Sequence, residues 1–272
     1  MPCFITDDGV PIFFVDSGKP SSIAIVLIHG ETFNSRFWKH NIEPLARHYR
    51  VVAPDLRGRG ESGKTEEGQS IAQFARDIDA LMDHLGLSQI VLVGWSLGSA
   101  VGWSYIAQFG QSKLRGFVNV DQLPYRPVSE EQLEAAKATV RENRFRNHLA
   151  KIDRYFGPGS KPDEETRTWM ACECMKTHSA SHLAIIADSH RCDFRPVLPT
   201  IAIPNQVYWA SHGAITRDSL EQIVAVTDRC EPVFFEGCGH LIPWVRPEEF
   251  NARLLRFTTE VSCLSETERL SP

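Results

Sequence analysis

A serine flanked by glycines, in the motif Gly-Trp-Ser-Leu-Gly at residues 94–98, is the part of the sequence best suited to chemistry. A serine hydroxyl is a poor nucleophile at neutral pH, so it needs a neighbouring base, a rigid exposed position and N–H donors for the negative charge it creates. An apolar run precedes the motif and a helix-period segment follows it, which predicts a strand, a sharp turn and a helix. In such a turn Ser96 is exposed as a nucleophile, and the backbone N–H of Leu97 points to the place where an oxyanion forms.

A suitable base for this serine follows the last apolar run of the chain, residues 232–235. His240 leaves that run through Gly237 and Gly239, so we expect it in a loop at the carboxyl end of a sheet, where ligands bind in open α/β sheets. It also follows Ser96 in the chain order serine, acid, histidine that one class of catalytic triad uses. The sequence therefore predicts that His240 takes the proton from Ser96.

Composition and charge narrow the class of protein. The 272 residues include 29 lysines and arginines against 34 aspartates and glutamates, a net charge of −5, and no basic block indicates nucleic-acid binding. The amino terminus lacks a basic segment followed by a long apolar one, and no run is long enough to span a bilayer. The cysteines are odd in number, 7, which fits reduced thiols better than a disulfide framework. We therefore expect a cytoplasmic protein that binds a small-molecule substrate, neither nucleic acid nor a membrane, and leave a homodimer open.

Apolar, β-branched runs alternate with helix-period segments along most of the chain. The runs, whose continuous apolar character is typical of strands covered on both faces, are 23–28, 51–53, 90–93, 117–120, 206–209 and 232–235. The helical segments are 71–85, 100–109, 218–226 and 248–257. This alternation predicts a mainly parallel sheet flanked by helices, and the earlier segment 11–15 predicts an edge hairpin strand.

One stretch, residues 128–199, interrupts the alternation. It contains no convincing strand, and its patterns predict helices over 130–147, 164–178 and 181–190. We interpret it as a helical lid, residues 128–199, inserted into one core domain formed by residues 1–127 and 200–272. Cysteines and histidines cluster in the lid, but their spacing lacks the pairs of structural zinc sites, so no metal site is predicted. These residues are Cys172, Cys174, His178, His182, His190 and Cys192.

With these motifs the chain resembles the α/β-hydrolase superfamily, and within it the branch of lid-bearing esterases, non-haem haloperoxidases, dehalogenases and epoxide hydrolases. Two further segments carry the resemblance. The tripeptide His-Gly-Glu at 29–31 looks like the oxyanion loop after the third strand, and residues 54–62 are similar to the D-x-R-G-x-G-x-S turn, in which Asp55 and Arg57 would satisfy backbone groups. The resemblance implies an eight-stranded, mainly parallel sheet with an inserted lid, no cofactor, and an oxyanion hole that uses the backbone N–H of Glu31.

The resemblance leaves the acid of the triad to be found. Most relatives place it just after the seventh strand, in a stretch like G-x-x-D, but here Gly213 stands at that position. A triad histidine without an ionised partner loses the control of its tautomer and the stabilisation of its charged form, so the acid must come from elsewhere. Some relatives carry it after the sixth strand, and Asp121 ends the run 117–121, so we assign the acid to Asp121. Asp218 is the reserve, although its place at the start of a predicted helix favours an N-cap.

Glu31 is unusual for an oxyanion loop because its carboxylate would oppose the negative charge that forms there. We expect its side chain either to turn away and pair with a cation such as Arg36, or to hydrogen-bond a hydroxyl of the substrate. Large aromatic side chains beside the nucleophile, near predicted loop ends or in the lid are candidates for the walls of a substrate pocket. They are Phe37, Trp38, Trp95, Trp169 and Trp244.

The sequence therefore predicts a serine hydrolase that cleaves a small, largely apolar ester, lactone or related acyl compound through Ser96, His240 and Asp121. Two other classes of function stay open. His240 and Asp121 alone could act as a base dyad in cofactor-independent oxygenation or carbon–carbon cleavage, with Ser96 only positioning the substrate. The fold could also serve a non-hydrolytic biosynthetic cyclase or a small-molecule binding protein, because a fold does not determine a function.

Overall fold

The computed structural model describes residues 2–19, 21–265 and 268 of the chain. The strands in this part of the chain are β1 (Cys3–Ile5), β2 (Pro11–Asp16), β3 (Ala24–Ile28), β4 (Arg50–Pro54), β5 (Ile90–Trp95), β6 (Leu114–Val120), β7 (Asn205–His212) and β8 (Cys230–Gly239). They form one 8-stranded sheet in the order β1-β2-β4-β3-β5-β6-β7-β8. β2 pairs antiparallel with β1 and β4, and the other pairs are parallel. The predicted mainly parallel sheet of eight strands is therefore confirmed.

Helices cover both faces of this sheet. In the described residues the α-helices are α1 (Ile42–Ala46), α2 (Ile71–His84), α3 (Leu97–Phe109), α4 (Glu130–Glu142), α5 (Arg144–Phe156), α6 (Glu164–Met175), α7 (Ser179–Arg191), α8 (Arg217–Val226), α9 (Ile242–Val245) and α10 (Pro247–Ser262). Two short 3₁₀ helices span Ser35–Trp38 and Leu198–Thr200. None of the helices in this part of the chain combines the length and apolar character that crossing a membrane requires.

Alternate residues of the central strand β3 face two apolar cores, one on each side of the sheet, because successive strand side chains point in opposite directions. Ala24, Val26 and Ile28 belong to the core that α2, α3 and α8 cover. Ile25 and Leu27 belong to the core that α1 and α10 cover. This double coverage explains why the strand reads as a continuous apolar run.

Helices α4–α7 form an insertion between β6 and β7. The prediction of one helix over 130–147 is wrong, because the helix is interrupted at Asn143, whose backbone is not helical, with φ −153° and ψ 89°. Asn143 ends α4 and caps α5, since its side-chain oxygen accepts a hydrogen bond from the backbone N–H of Arg146 at 3.0 Å. The second helix extends to Phe156, and Gly157, with φ 81°, ends it.

The helices of the insertion run from Glu130 to Arg191, within the predicted limits 128–199. The division of the chain at those limits stays a prediction. The outer ends of the predicted core domain, residues 1 and 272, lie outside the described residues.

Candidate active site

Ser96 lies in a sharp turn between β5 and α3. Its backbone has φ 54° and ψ −122°, a conformation that costs about 1–3 kcal/mol and that clusters at functional sites. The flanking glycines allow this turn. A Cβ on Gly94 would lie 2.3 Å from the backbone of Gly98, and a Cβ on Gly98 would lie 2.2 Å from the carbonyl oxygen of Ile28. The predicted strand, turn and helix around Ser96 are therefore present.

Asp121 follows β6, and the residue is completely buried. Its Oδ2 lies 2.7 Å from Nδ1 of His240 and also accepts a hydrogen bond from the N–H of Ala214 at 2.7 Å, while Oδ1 accepts one from the N–H of Ile215 at 3.1 Å. Asp121, like Ser96, has a positive φ of 54°. A positive φ is unusual for residues other than glycine. The carboxylate of Asp121 can accept a hydrogen bond from Nδ1 of His240, which favours the tautomer with its proton on Nδ1. In that tautomer Nε2 has a free lone pair and can act as a base.

Gly213, where the resemblance places the acid, leaves room for Asp121. A Cβ built on Gly213 would lie 2.4 Å and 2.6 Å from the two carboxylate oxygens of Asp121. The carboxylate therefore reaches His240 from β6 through the volume that a side chain after β7 would fill. The reserve acid, Asp218, lies in the first turn of α8, but the N-cap of that helix is Thr216, so the expectation that Asp218 forms the cap is wrong.

The loop of His240 is held by contacts from β5 and α5. The indole N–H of Trp95 donates to the backbone carbonyl of His240 at 2.8 Å. The ring of Tyr155 packs edge-on against the imidazole, with 4.7 Å between the ring centroids, and its backbone carbonyl accepts a hydrogen bond from the N–H of Leu241 at 3.2 Å. These contacts and the bond to Asp121 orient the imidazole.

Ser96 and His240 line one cavity with a volume of about 530 Å³, which suits a small molecule. Among the hydrogen bonds of the described residues, none joins the hydroxyl of Ser96 to His240. Such bonds are often long before a substrate is bound and tighten in the complex. The other residues that line the cavity are Glu31, Ile71, Leu97, Ala100, Gln122, Leu123, Pro124, Tyr125, Arg126, Arg154, Tyr155, Ser189, His190, Cys192, Phe194, His212, Gly213 and Ala214.

Leu97 and Glu31, the predicted oxyanion-hole residues, both line this cavity. Leu97 is the first residue of α3, where a backbone N–H has no partner within the helix. Glu31 lies in the turn after β3, and two hydrogen bonds fix that turn. Arg59 donates from Nε to the carbonyl of Glu31 at 3.1 Å, and the hydroxyl of Thr177 donates to the carbonyl of Thr32 at 2.9 Å. The oxyanion role of the two N–H groups stays a prediction.

The side chain of Glu31 turns to the helical insertion. Its Oε2 lies 2.5 Å from Nζ of Lys151 on α5, and its Oε1 lies 3.3 Å from Nε2 of His182 on α7. Burial alone would raise the pKa of Glu31, but Lys151 and His182 outweigh burial and hold the pKa well below its ordinary value. Arg36 binds Glu173 at 3.3 Å instead. The expectation of a cationic partner is confirmed, and the choice of Arg36 is wrong.

The aromatic residues expected in the pocket walls do not line this cavity, so that expectation is wrong. They are Phe37, Trp38, Trp95, Trp169 and Trp244. The first three are at most 1% exposed, and the rings of Phe37 and Trp95 stack at 4.0 Å between centroids. The ammonium group of Lys39 lies 4.6 Å from the ring centroids of both Trp169 and Trp244. Large aromatic side chains gain most from close packing on one another, and that packing keeps them out of the cavity wall.

The turn at residues 54–62 has the structural role expected of it, with one difference. Asp55 accepts hydrogen bonds from the backbone N–H groups of Ser35 at 2.6 Å and Glu61 at 2.7 Å. Arg57, which was expected to satisfy backbone groups as well, binds carboxylates instead, including that of Asp77 at 2.6 Å. Asp8 and Asp77 lie within reach of this guanidinium, and charged hydrogen bonds are stronger than bonds to a backbone carbonyl, which explains the difference.

Several of the cysteines and histidines of the insertion lie near the site. His182 contacts Glu31, and His190 and Cys192 line the cavity. Within the described residues, no three histidine, cysteine, aspartate or glutamate side chains are grouped as a bound metal ion would require. The cysteines among the described residues are free thiols.

Two residues that sequence analysis did not place at the site, Lys151 and Arg154, come from α5 and lie beside Tyr155. Lys151, Arg154 and Tyr155 are spaced i, i+3 and i+4, so they share one helix face. Lys151 binds Glu31, and Arg154 and Tyr155 line the cavity. Arg126 lines it from the segment after β6. The helical spacing of the first three is the signal from which they could have been found.

Comparison with known proteins identifies the family of the chain. A family model described as the alpha/beta hydrolase fold matches residues 23–247, so the chain belongs to the α/β-hydrolase fold family. The chain is similar to a non-heme haloperoxidase from Rhodococcus erythropolis, with 26% identity over 94% of this chain and 99% of that protein. It is similar to the bifunctional esterase/perhydrolase DCH from Acinetobacter calcoaceticus, with 25% identity over 93% and 97%. Its fold matches that of the enol-lactonase from Burkholderia xenovorans LB400 with a TM-score of 0.86, at 20% identity over 95% and 100%.

Proposed function

We propose that this protein is a serine hydrolase that transfers the acyl group of a small ester or lactone to water. The observation that carries the proposal is the 2.7 Å contact between Nδ1 of His240 and Oδ2 of Asp121, beside a serine in a strained turn on the same cavity. Support also comes from the named activities of relatives, an esterase and a lactonase, since both reactions transfer an acyl group.

In this proposal the hydroxyl of Ser96 attacks the acyl carbon and Nε2 of His240 takes its proton. Asp121 holds the imidazole in the required tautomer and stabilises its charged form. The backbone N–H groups of Leu97 and Glu31 hold the oxyanion of the tetrahedral intermediate. When this intermediate collapses, His240 gives the proton to the leaving alcohol, and the acyl group remains bound to Oγ of Ser96 as an ester. Water, deprotonated by His240, then releases the acid in a second attack of the same kind.

Labelling with a fluorophosphonate tests the proposal, because this probe reacts with an activated serine. We expect the probe to modify Ser96, identified by peptide mass, and to leave Ser96→Ala unlabelled. Ser99→Ala is the matched control, since Ser99 directly follows the motif and its buried hydroxyl donates to the carbonyl of Gly94 at 2.5 Å. Equal labelling of the parent and Ser96→Ala ends the proposal.

A second candidate is a base dyad of His240 and Asp121 that activates a substrate for oxygenation or carbon–carbon cleavage. The 2.7 Å contact of His240 with Asp121 would serve this reaction as well, because a base dyad needs no nucleophilic serine. The same Ser96→Ala variant separates the two candidates. Loss of ester turnover supports the hydrolase, whereas retained turnover with uptake of oxygen supports the dyad.

A further inference from the structure

The cavity beside Ser96 has two arginines in its wall, which acyl transfer itself does not need. Arg126 lines the cavity from the segment after β6, and Arg154 lines it from α5. Both residues are exposed, and in the described part of the chain neither forms an ion pair with a carboxylate. Arg154 lies over the ring of Tyr155, with 5.6 Å from the guanidinium carbon to the ring centroid. Both guanidinium groups are therefore able to bind a ligand.

The other charges of the cavity wall do not cancel these arginines. Glu31 is the one carboxylate among the described residues that line the cavity, and it is already paired with Nζ of Lys151 at 2.5 Å. His190 and His212 also line the cavity and add ring nitrogens that can donate hydrogen bonds. The chain as a whole has a net charge of −5. The positive charge is thus a property of this cavity and not of the whole surface.

The remaining wall is largely apolar. Leu97 and Ala100 of α3 lie there with Ile71, Leu123 and Phe194. A pocket that combines apolar walls with a few convergent polar groups binds a ligand with a hydrocarbon part and a matching polar part. The planar fork of a guanidinium matches a carboxylate, with which it forms short charged hydrogen bonds.

We propose that the substrate is a small ester or lactone that bears a carboxylate, bound by Arg126 and Arg154 while Ser96 attacks the acyl carbon. This inference rests on the proposed function and specifies its substrate class. It modifies the expectation of a largely apolar substrate, because the hydrocarbon part packs on the apolar wall and the charged end faces the arginines.

Matched pairs of synthetic esters test this inference. Mono-4-nitrophenyl adipate against 4-nitrophenyl heptanoate places the carboxylate on the acyl side, and 4-acetoxybenzoate against methyl 4-acetoxybenzoate places it on the alcohol side. We expect kcat/KM for the anionic member of at least one pair to exceed that of its neutral partner by about tenfold, mainly through KM. Added NaCl should reduce that preference, since salt screens exposed charges.

Variants of the two arginines test whether these residues cause the preference for anionic esters. Arg126→Gln/Arg154→Gln should lower kcat/KM for the preferred anionic ester by about tenfold or more and that for the neutral partner by far less. Arg256→Gln is the matched control, because Arg256 is an exposed residue of α10 that binds Glu260 at 2.9 Å. Arg256→Gln should leave kcat/KM for all four esters unchanged.

The outcomes separate this inference from the proposed function. If Ser96 takes up the fluorophosphonate but neither anionic ester is turned over faster than its neutral partner, the inference is wrong and the hydrolase proposal stands. The inference is also wrong if the double arginine variant slows both members of a pair equally. If Ser96 is not labelled and no ester is hydrolysed, it is the proposed function that fails.

Discussion

Asp121 and Gly213 come from the ends of neighbouring strands, β6 and β7, and share one volume beside His240. The carboxylate of Asp121 fills the space that a side chain at Gly213 would need. The φ of Asp121, 54°, suits a glycine even better than an aspartate. His240 requires an acceptor at Nδ1 and not a particular point of attachment to the chain. The two positions should therefore be able to exchange roles.

Exchange of these two residues should move the acid without removing it. We expect Asp121→Gly to lower kcat by about 10³-fold or more, because His240 loses the group that fixes its tautomer. Gly213→Asp alone should also be impaired, since its side chain collides with Asp121. The double variant Asp121→Gly/Gly213→Asp should recover about tenfold or more over Asp121→Gly, as coupled neighbours do. Steady-state hydrolysis of a 4-nitrophenyl ester measures each rate.

Asp218→Asn is the control for this exchange, because it removes the reserve acid and should keep the parent rate. Circular dichroism establishes that each variant is folded. A folded double variant that is no faster than Asp121→Gly would show that the acid must be attached at residue 121.

Helix α5 connects the insertion to the oxyanion loop. Lys151 neutralises Glu31, whose backbone N–H is a proposed oxyanion donor, and the same helix carries Tyr155 against the ring of His240. Without Lys151, the carboxylate of Glu31 would keep His182 as a partner, so its charge in the cavity wall would be less well neutralised near the developing negative charge. The insertion is thus part of the electrostatics of the site and not only its cover.

Removal of Lys151 should therefore slow catalysis through Glu31. We expect Lys151→Met to lower kcat by about tenfold or more with a smaller change in KM, because the less well neutralised carboxylate opposes the oxyanion. In Lys151→Met/Glu31→Gln the opposing charge is gone, so kcat should recover most of the loss. Lys137→Met, which removes a lysine of α4 bound to Glu134 at 2.6 Å, is the control and should keep the parent kcat. Equal kcat in Lys151→Met and the double variant would show that the ion pair only holds the insertion in place.

Elements with strong local signals could be predicted from the sequence, and their relative placement could not. The strand before Ser96 and the turn around it follow from an apolar run and two glycines, which act over a few residues. Asn143 looked like the interior of one helix, because its capping role depends on where the chain turns.

Contacts between distant elements account for the other differences. Arg36 is near Glu31 in sequence, but Lys151 reaches it because α5 packs over the turn after β3. The aromatic residues were assigned to the pocket by chemical type, whereas their packing partners decide that Phe37 and Trp95 are buried. Asp121 could be found through the resemblance, because relatives carry the acid after the seventh or the sixth strand and the sequence has Gly213 at the first of these places and Asp121 at the second.

At the scale of the whole molecule, buried histidines make stability depend on pH. Burial is the main cause that lowers the pKa of His29 and of His148 to about 3. In the unfolded chain these groups have the ordinary pKa of about 6.5. Between these two values the unfolded chain binds protons that the folded protein does not, so the free energy of unfolding falls as pH falls. Above pH of about 6.5 this loss is absent.

A variant of His148 should reduce this pH dependence. Its ring nitrogens have no partner among the described residues, and its ring stacks on His182 at 5.5 Å, so His148→Phe preserves the stack without a titrating group. Between pH 6 and pH 4, we expect the free energy of unfolding of the parent to fall more steeply than that of the variant, by up to about 1.4 kcal/mol per pH unit. Urea unfolding at several pH values measures both.

His48→Phe serves as the comparison, since His48 is exposed and the same replacement there should leave the pH slope of the parent unchanged. If His148→Phe also keeps the slope of the parent, His148 is not the group whose protonation favours unfolding.

Acyl transfer to Ser96 can be followed by the mass of the protein during turnover of an activated ester. We expect acid quenching of the reaction with 4-nitrophenyl acetate to trap an acetyl group on the peptide that contains Ser96. In Ser96→Ala we expect neither adduct nor turnover. Turnover that continues in Ser96→Ala, together with a parent protein that never carries an acetyl group on Ser96, would show that Ser96 is not the nucleophile.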